Sequence, residues 1–260
     1  MTATLGAAAP PALQVTGLGK SFMGVAALSD VEFTLSTGTV LGLIGPNGSG
    51  KSTALDCVTG FVRPDSGQIL LDGESIFGKA PHLIARAGLV RTFQTVKLYD
   101  QLTLDEHMSL SLRGLYKAGR SGASRRRSAE RKRATSWLVE FGLEQLRSAP
   151  AGILSYGQKK LLALAAVLVT QPRIALLDEP LAGVNPRIID LIRDAILQAN
   201  TEGQTFLIIE HNVEFITSCC SEVVVLDAGK KLAAGPPSVI WDDPAVYEAF
   251  LGRKGDGHAG

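Results

Sequence analysis

The sequence predicts an α/β chain: a mainly parallel sheet covered on both faces, an antiparallel β portion near the N-terminus, and an inserted helical subdomain. Three observations carry this expectation. From residue 155 onward, strand-like and helix-like segments alternate, the pattern of a parallel sheet with crossover helices. The strand-like segments Ile174–Leu177, Thr205–Ile209 and Glu222–Leu226 are largely apolar runs rather than alternating ones, as befits strands buried on both faces. Residues from about 96 to 168 break the alternation with helical spacing and a basic stretch.

The elements follow in order. Leu13–Val15 and Val31–Leu35 read as short strands, and Thr39–Ile44 as a compact apolar strand that runs into a Gly-rich loop and a helix from Lys51. Gln68–Leu71 reads as a strand closed by the turn pair Asp72-Gly73. Leu102–Leu115 has helical spacing, residues 120–133 hold seven Lys or Arg, and Trp137–Phe141 returns to helix. The basic run reads as a solvated helix face or a loop, with acidic lipid headgroups as the alternative ligand. Ser155–Thr170 and Ile188–Asn200 read as helices, and Pro244–Leu251 as a short final one. There is no internal repeat, so residues 1–260 are expected to form a single domain carrying the helical insert.

Composition bounds the function. With 45% hydrophobic and 20% charged residues the chain can bury a full core. A net charge of +1 gives no reason to expect a nucleic-acid partner. Cys57, Cys219 and Cys220 form no C-x-x-C pair, the usage of a reduced cytosolic protein. Residues 1–14 lack the basic and apolar regions of a secretory signal, and the longest apolar run, Leu161–Val169, is too short to cross a bilayer. Work at a membrane is therefore expected to go through partner chains.

The chemistry begins at residues 45–53, Gly-Pro-Asn-Gly-Ser-Gly-Lys-Ser-Thr, which match G-x-x-x-x-G-K-[ST] between a strand and a helix. Gly45, Gly48 and Gly50 let the backbone of the loop, which also holds Pro46, Asn47 and Ser49, turn so that its N–H groups face phosphate oxygens. The helix N-terminus at Ser52 and Thr53 adds positive partial charge. Lys51 can reach the β- and γ-phosphates, and the Ser52 hydroxyl can ligate Mg²⁺. Ile174–Asp178-Glu179 is an apolar strand ending in two acids. Asp178 can hold Mg²⁺, and Glu179 can polarise the attacking water, which argues for hydrolysis over phosphoryl transfer to a substrate. No Asn-Lys-x-Asp string occurs to read guanine.

Residues 154–158, Leu-Ser-Tyr-Gly-Gln, then stand a short distance before Asp178-Glu179 at the start of a helix. This string resembles the Leu-Ser-Gly-Gly-Gln signature of ABC ATPases. The resemblance spans roughly residues 13–252 and implies a P-loop NTPase core. It implies that Phe22 stacks on adenine, that Gln94 touches Mg²⁺ and the attacking water, and that His211 contacts the γ-phosphate. It also implies a head-to-tail dimer with a second ATPase subunit, in which Ser155, Gly157 and Gln158 meet the partner's ATP, while Lys51, Ser52, Gln94, Asp178, Glu179 and His211 act in cis. Tyr156 departs from the signature Gly, and Asn185 stands where many ABC ATPases carry Asp. Both departures, with Arg91–Gln94 and Ile209–Asn212, resemble branched-chain amino-acid importer ATPases, with urea-importer ATPases close by. That subgroup implies transmembrane permeases, an extracytoplasmic solute-binding protein, and a place on the cytoplasmic face of the membrane. A soluble ABC ATPase of repair or translation is the alternative, but such chains carry two ATPase units or a coiled-coil insertion, and the heptads for one are missing here.

Overall fold

The structure, a computed structural model, describes residues 10–92, 98–114 and 123–251. The chain opens with strands β1 (Leu13–Phe22), β2 (Val25–Leu35) and β3 (Val40–Ile44), then helix α1 (Lys51–Val58). Strands β4 (Ser66–Leu71) and β5 (Glu74–Ser75), helix α2 (Pro81–Ala87) and strand β6 (Leu89–Arg91) follow. Three helices come next: α3 (Leu104–Gly114), α4 (Ala123–Glu140) and α5 (Tyr156–Leu168). Then come β7 (Ile174–Asp178), α6 (Pro186–Thr201), β8 (Thr205–Ile209), α7 (Val213–Cys219), β9 (Glu222–Asp227) and β10 (Lys230–Gly235), and the described part ends in α8 (Pro237–Ile240) and α9 (Pro244–Leu251).

Two sheets form. β2, β1, β4 and β5 make an antiparallel sheet in that order, and the larger sheet runs β10-β9-β3-β8-β7-β6. Every neighbouring pair of the larger sheet is parallel except β9 with the edge strand β10. The apolar runs of β3, β7 and β8 divide by the period of two that a strand imposes. Val40, Ile44, Ala175, Leu177, Phe206 and Ile208 face a core shared with the helices α3 to α6. Leu41, Leu43, Ile174, Leu176, Leu207 and Ile209 face a second core shared with α1 and the antiparallel sheet. A strand pressed between two cores has no polar face to give, which is why these segments read as unbroken hydrophobic runs.

The structure lengthens or adds several elements. β1 runs through Gly17 and Gly19, which punctuate the sequence like a strand end. They mark irregular register with β2 and β4 instead, where Gly67 comes so near that a Cβ on it would stand 2.6 Å from the Gly17 carbonyl. α4 continues through the basic residues 123–133, so the part of that run which the structure describes is helix, and Arg133 donates to the Val169 carbonyl just past α5. β6 and β10 were not evident in the sequence: β6 is three residues long, and β10 is an edge strand that opens with two lysines and has only Leu232–Ala234 as an apolar run.

All three cysteines are buried and free. Burial pushes the Cys57 and Cys219 thiols up to about 11, and raises Cys220 as well. The folded chain should therefore leave a disulfide reagent such as DTNB unreacted at about pH 8 and release three equivalents of thiol on unfolding in denaturant, followed by absorbance.

Candidate active site

Because β3, β7 and β8 are neighbours and parallel, the segments leaving their C-terminal ends share one edge of the sheet. The phosphate loop leaves β3, Asp178 ends β7 with Glu179 next, and Glu210 and His211 follow β8.

The loop is wedged between backbones. A Cβ on Gly45 would stand 2.1 Å from the Leu226 carbonyl oxygen, and one on Gly50 would stand 2.8 Å from that of Ala27, so both must be glycine whatever the ligand. Ser49 is buried, and its carbonyl accepts from the Gly229 N–H at 3.1 Å. Lys51 turns back into the loop: its ammonium donates to the Gly45 and Pro46 carbonyls at 2.8 Å each and to Ser49 Oγ at 3.3 Å. Burial pulls the Lys51 ammonium below the usual lysine range, and the Glu179 carboxylate partly restores it. Asn47, Gly48 and Ser52 are exposed along the loop and first turn, and Pro46, Gly50 and Thr53 are half-buried.

Asp178 is held by a residue that sequence reasoning missed. Arg91, at the end of β6, donates from one guanidinium nitrogen to Asp178 Oδ2 at 2.8 Å and from the other to Asp56 Oδ1 at 2.6 Å and Thr59 Oγ1 at 3.2 Å. The guanidinium thus ties the two-acid strand to α1, the helix that opens with Lys51. Glu179 adopts φ 45°, a left-handed conformation uncommon for a non-glycine residue, with its N–H on the Ile209 carbonyl at 3.0 Å and its own carbonyl accepting from Lys160 Nζ at 2.8 Å. Glu210 is also new. Only 1% exposed, it accepts from the Leu181 N–H at 2.7 Å and the His211 N–H at 3.1 Å. Burial pushes its carboxyl up, and these two N–H groups pull it back. Neither residue carries a sequence signal, because an Arg or Glu at a strand end is common and only the fold supplies its partners.

His211 itself is open to solvent, with 71% of its side chain exposed. Phe22 ends β1 at 47% exposure, with Lys20 Nζ 5.3 Å from its ring centre. Gln94 lies outside the described residues. Ser155 N-caps α5 in a capping box: its Oγ accepts from the Gln158 N–H at 3.3 Å, and Gln158 Oε1 accepts from the Ser155 N–H at 3.0 Å. Gly157 packs on α6, where a Cβ would meet Ile188 at 3.0 Å. These capping bonds stay within the first turn of α5, and the Glu179 carboxylate acts on Lys51. Asn185 caps α6, its side chain accepting from the Ile188 N–H at 3.1 Å.

The donors fit Mg²⁺. Ser52 offers a hard oxygen beside Lys51, and Asp178 a carboxylate. Mg²⁺ keeps most of its waters and takes one or two protein ligands plus phosphate, a number that one hydroxyl and one carboxylate supply.

A Gly-wedged phosphate loop on a parallel sheet, with an acid pair at the same edge two strands away, defines a P-loop ATPase. Residues 28–182 match the family model described as ABC transporter, and the chain belongs to that family. It is similar to the high-affinity branched-chain amino acid transport ATP-binding protein BraF of Pseudomonas aeruginosa, at 40% identity over 94% of this chain and 98% of the relative. LivG of Escherichia coli K12, described in the same words, is 36% identical over 94% and 98%. A solved ATP-binding cassette of an ABC transporter in its ADP conformation has 31% identity and a TM-score of 0.80, covering 93% of this chain and 99% of the other. The dimeric structure of a bacterial ABC transporter cassette has 25% identity and a TM-score of 0.74, covering 86% and 98%. The chain is thus an ATPase of a transport family, and no helix among its described residues is long and apolar enough to cross a membrane.

Replacing Lys51 by Ala removes a charge-assisted contact to the phosphates and should weaken Mg-ATP binding roughly 10- to 100-fold, read by equilibrium titration with a fluorescent ATP analogue.

Proposed function

We propose that this chain energises uptake of branched-chain amino acids, working on the cytoplasmic face of the membrane against transmembrane permease subunits fed by an extracytoplasmic solute-binding protein. ATP and Mg²⁺ sit between its phosphate loop and the α5 N-terminus of a second, head-to-tail ATPase subunit. The observation that carries the hydrolytic part is the meeting of Lys51, Asp178 and Glu179 at one edge of the sheet, while Ser155 is turned to its own helix. The solute class is supported by the similarity to BraF and LivG along nearly the full length of each.

In this reading Lys51 leaves the Gly45 and Pro46 carbonyls and takes up the β- and γ-phosphates. Ser52, Asp178 and Gln94 would hold Mg²⁺, which would supply neutralisation of the charge on the phosphates. Phe22 offers a π-face to adenine. A water attacks the γ-phosphorus in line with the leaving ADP oxygen, and its proton passes to the Glu179 carboxylate as the new P–O bond forms. His211 orients the γ-phosphate, and the Ser155 hydroxyl and Gly157 N–H of the opposing subunit complete the anion's shell.

Two experiments test this. Glu179→Gln should keep ATP affinity and lose turnover by about 100-fold or more; wild-type hydrolysis by that variant removes Glu179 as the base. Deleting the gene should abolish uptake of labelled leucine, isoleucine and valine by intact cells, with restoration by the wild-type chain and not by Glu179→Gln. Unchanged uptake of these three, with loss of labelled urea uptake instead, would replace the solute assignment.

A further inference from the structure

We infer that Lys160, carried on the same helix as Ser155, is a positioning residue for hydrolysis: its ammonium holds the Glu179 carbonyl and with it the turn that aims the Glu179 side chain. The inference rests on Glu179 serving as the base.

The left-handed backbone of Glu179 is costly for a residue with a Cβ and persists only where its surroundings hold it. Three elements do so. β8 takes the Glu179 N–H on the Ile209 carbonyl, and Glu210 takes the Leu181 N–H two residues further on. Lys160 supplies the third hold, at 2.8 Å on the Glu179 carbonyl, and it alone comes from the helical segment between β6 and β7.

Lys160 is 6% exposed, a location where an ammonium is costly unless it is bonded and compensated. Its compensation is local: Glu210, Glu179 and Asp178 all act on it, offsetting burial that pulls the ammonium down. A neutral side chain would fill the same space without that cost, so a lysine here points to use of its reach and charge.

Tyr156 strengthens the argument and gives this departure from the signature a physical role. Residues 156 and 160 are one helical turn apart on one face of α5. The Tyr156 ring lies 5.8 Å from Lys160 Nζ and covers Gly183, where a Cβ would stand 3.1 Å from the ring. The two side chains therefore grip the segment after β7 at both ends, Lys160 at Glu179 and Tyr156 at Gly183. Ser155 begins the same turn. A force that Ser155 feels from the opposing subunit's ATP is delivered through a rigid helix to the backbone of this chain's own base.

The test compares Lys160→Met, which keeps the apolar stem, and Lys160→Arg, which keeps the charge, with Glu179→Gln. ATPase turnover is measured on the chain assembled with the subunits its activity requires, and Mg-ATP affinity is measured in parallel. A cavity of about 20 Å³ beside Lys160 leaves some room for the larger guanidinium. Lys160→Met should lose at least about 10-fold in kcat with ATP affinity within about twofold of wild type, and Lys160→Arg should recover most of that loss. In the Glu179→Gln background Lys160→Met should cost nothing further, since the group it aims is gone. Wild-type kcat in Lys160→Met, or an equal loss in both backgrounds, overturns the inference. Should Lys160→Met fail to fold, judged by its thermal midpoint, Lys160→Gln must show the same kcat loss at unchanged affinity, and wild-type turnover there overturns it equally. Activity retained by Glu179→Gln would sink the assignment of the base itself, whereas an inactive Glu179→Gln beside a fully active Lys160→Met sinks only the role of Lys160.

Discussion

Burial of the larger sheet on both faces governs where chemistry can occur. Val40–Ile44, Ile174–Leu177 and Phe206–Ile209 are buried at every position and wholly apolar or glycine, so none of them offers a side chain to a charged ligand. Polar function is confined to the points where these strands stop. Parallel order then brings the stops of three strands that are distant in sequence to a common edge, and the phosphate loop, the acid pair and the His211 turn arise there together.

At that edge the charges are distributed as a linked set. Arg91 joins Asp178 to Asp56, Lys51 is occupied by its own loop, and Glu210 draws in the N–H groups on either side of the gap between β7 and β8. Buried ionic groups are tolerable only when each is answered by a partner, and a substitution that removes one partner leaves the other uncompensated. Arg91 and Glu210 are thereby bound to the same geometric requirement as the residues proposed to touch nucleotide.

The phosphate loop, the acid pair and the signature helix were legible in the sequence because each joins a fixed residue pattern to a strand or helix boundary. Thr205–Ile209 and Pro244–Leu251 fall where the sequence puts them, since apolar runs and a helix-opening proline are local signals. The full length of β1 was hidden by Gly17 and Gly19, whose meaning depends on how closely β2 and β4 approach. β10 was hidden because an edge strand needs no apolar run. Arg91, Lys160 and Glu210 were invisible as site residues for a related reason: their roles lie in backbone carbonyls, N–H groups and acids brought near by tertiary contact, which leave no spacing to read.

The seating of the phosphate loop bears on how the chain can cycle. Ala27 of β2 presents its carbonyl to Gly50 on one side and to Gly229 on the other, at distances that admit no side chain, and Lys51 spans the loop from within. The loop is thus held in shape by the backbones around it and by an internal cation. Little ordering entropy remains to be lost when nucleotide arrives, and little structure is lost when product leaves. A loop built this way can exchange its ligand by moving one side chain, Lys51, while its backbone stays seated.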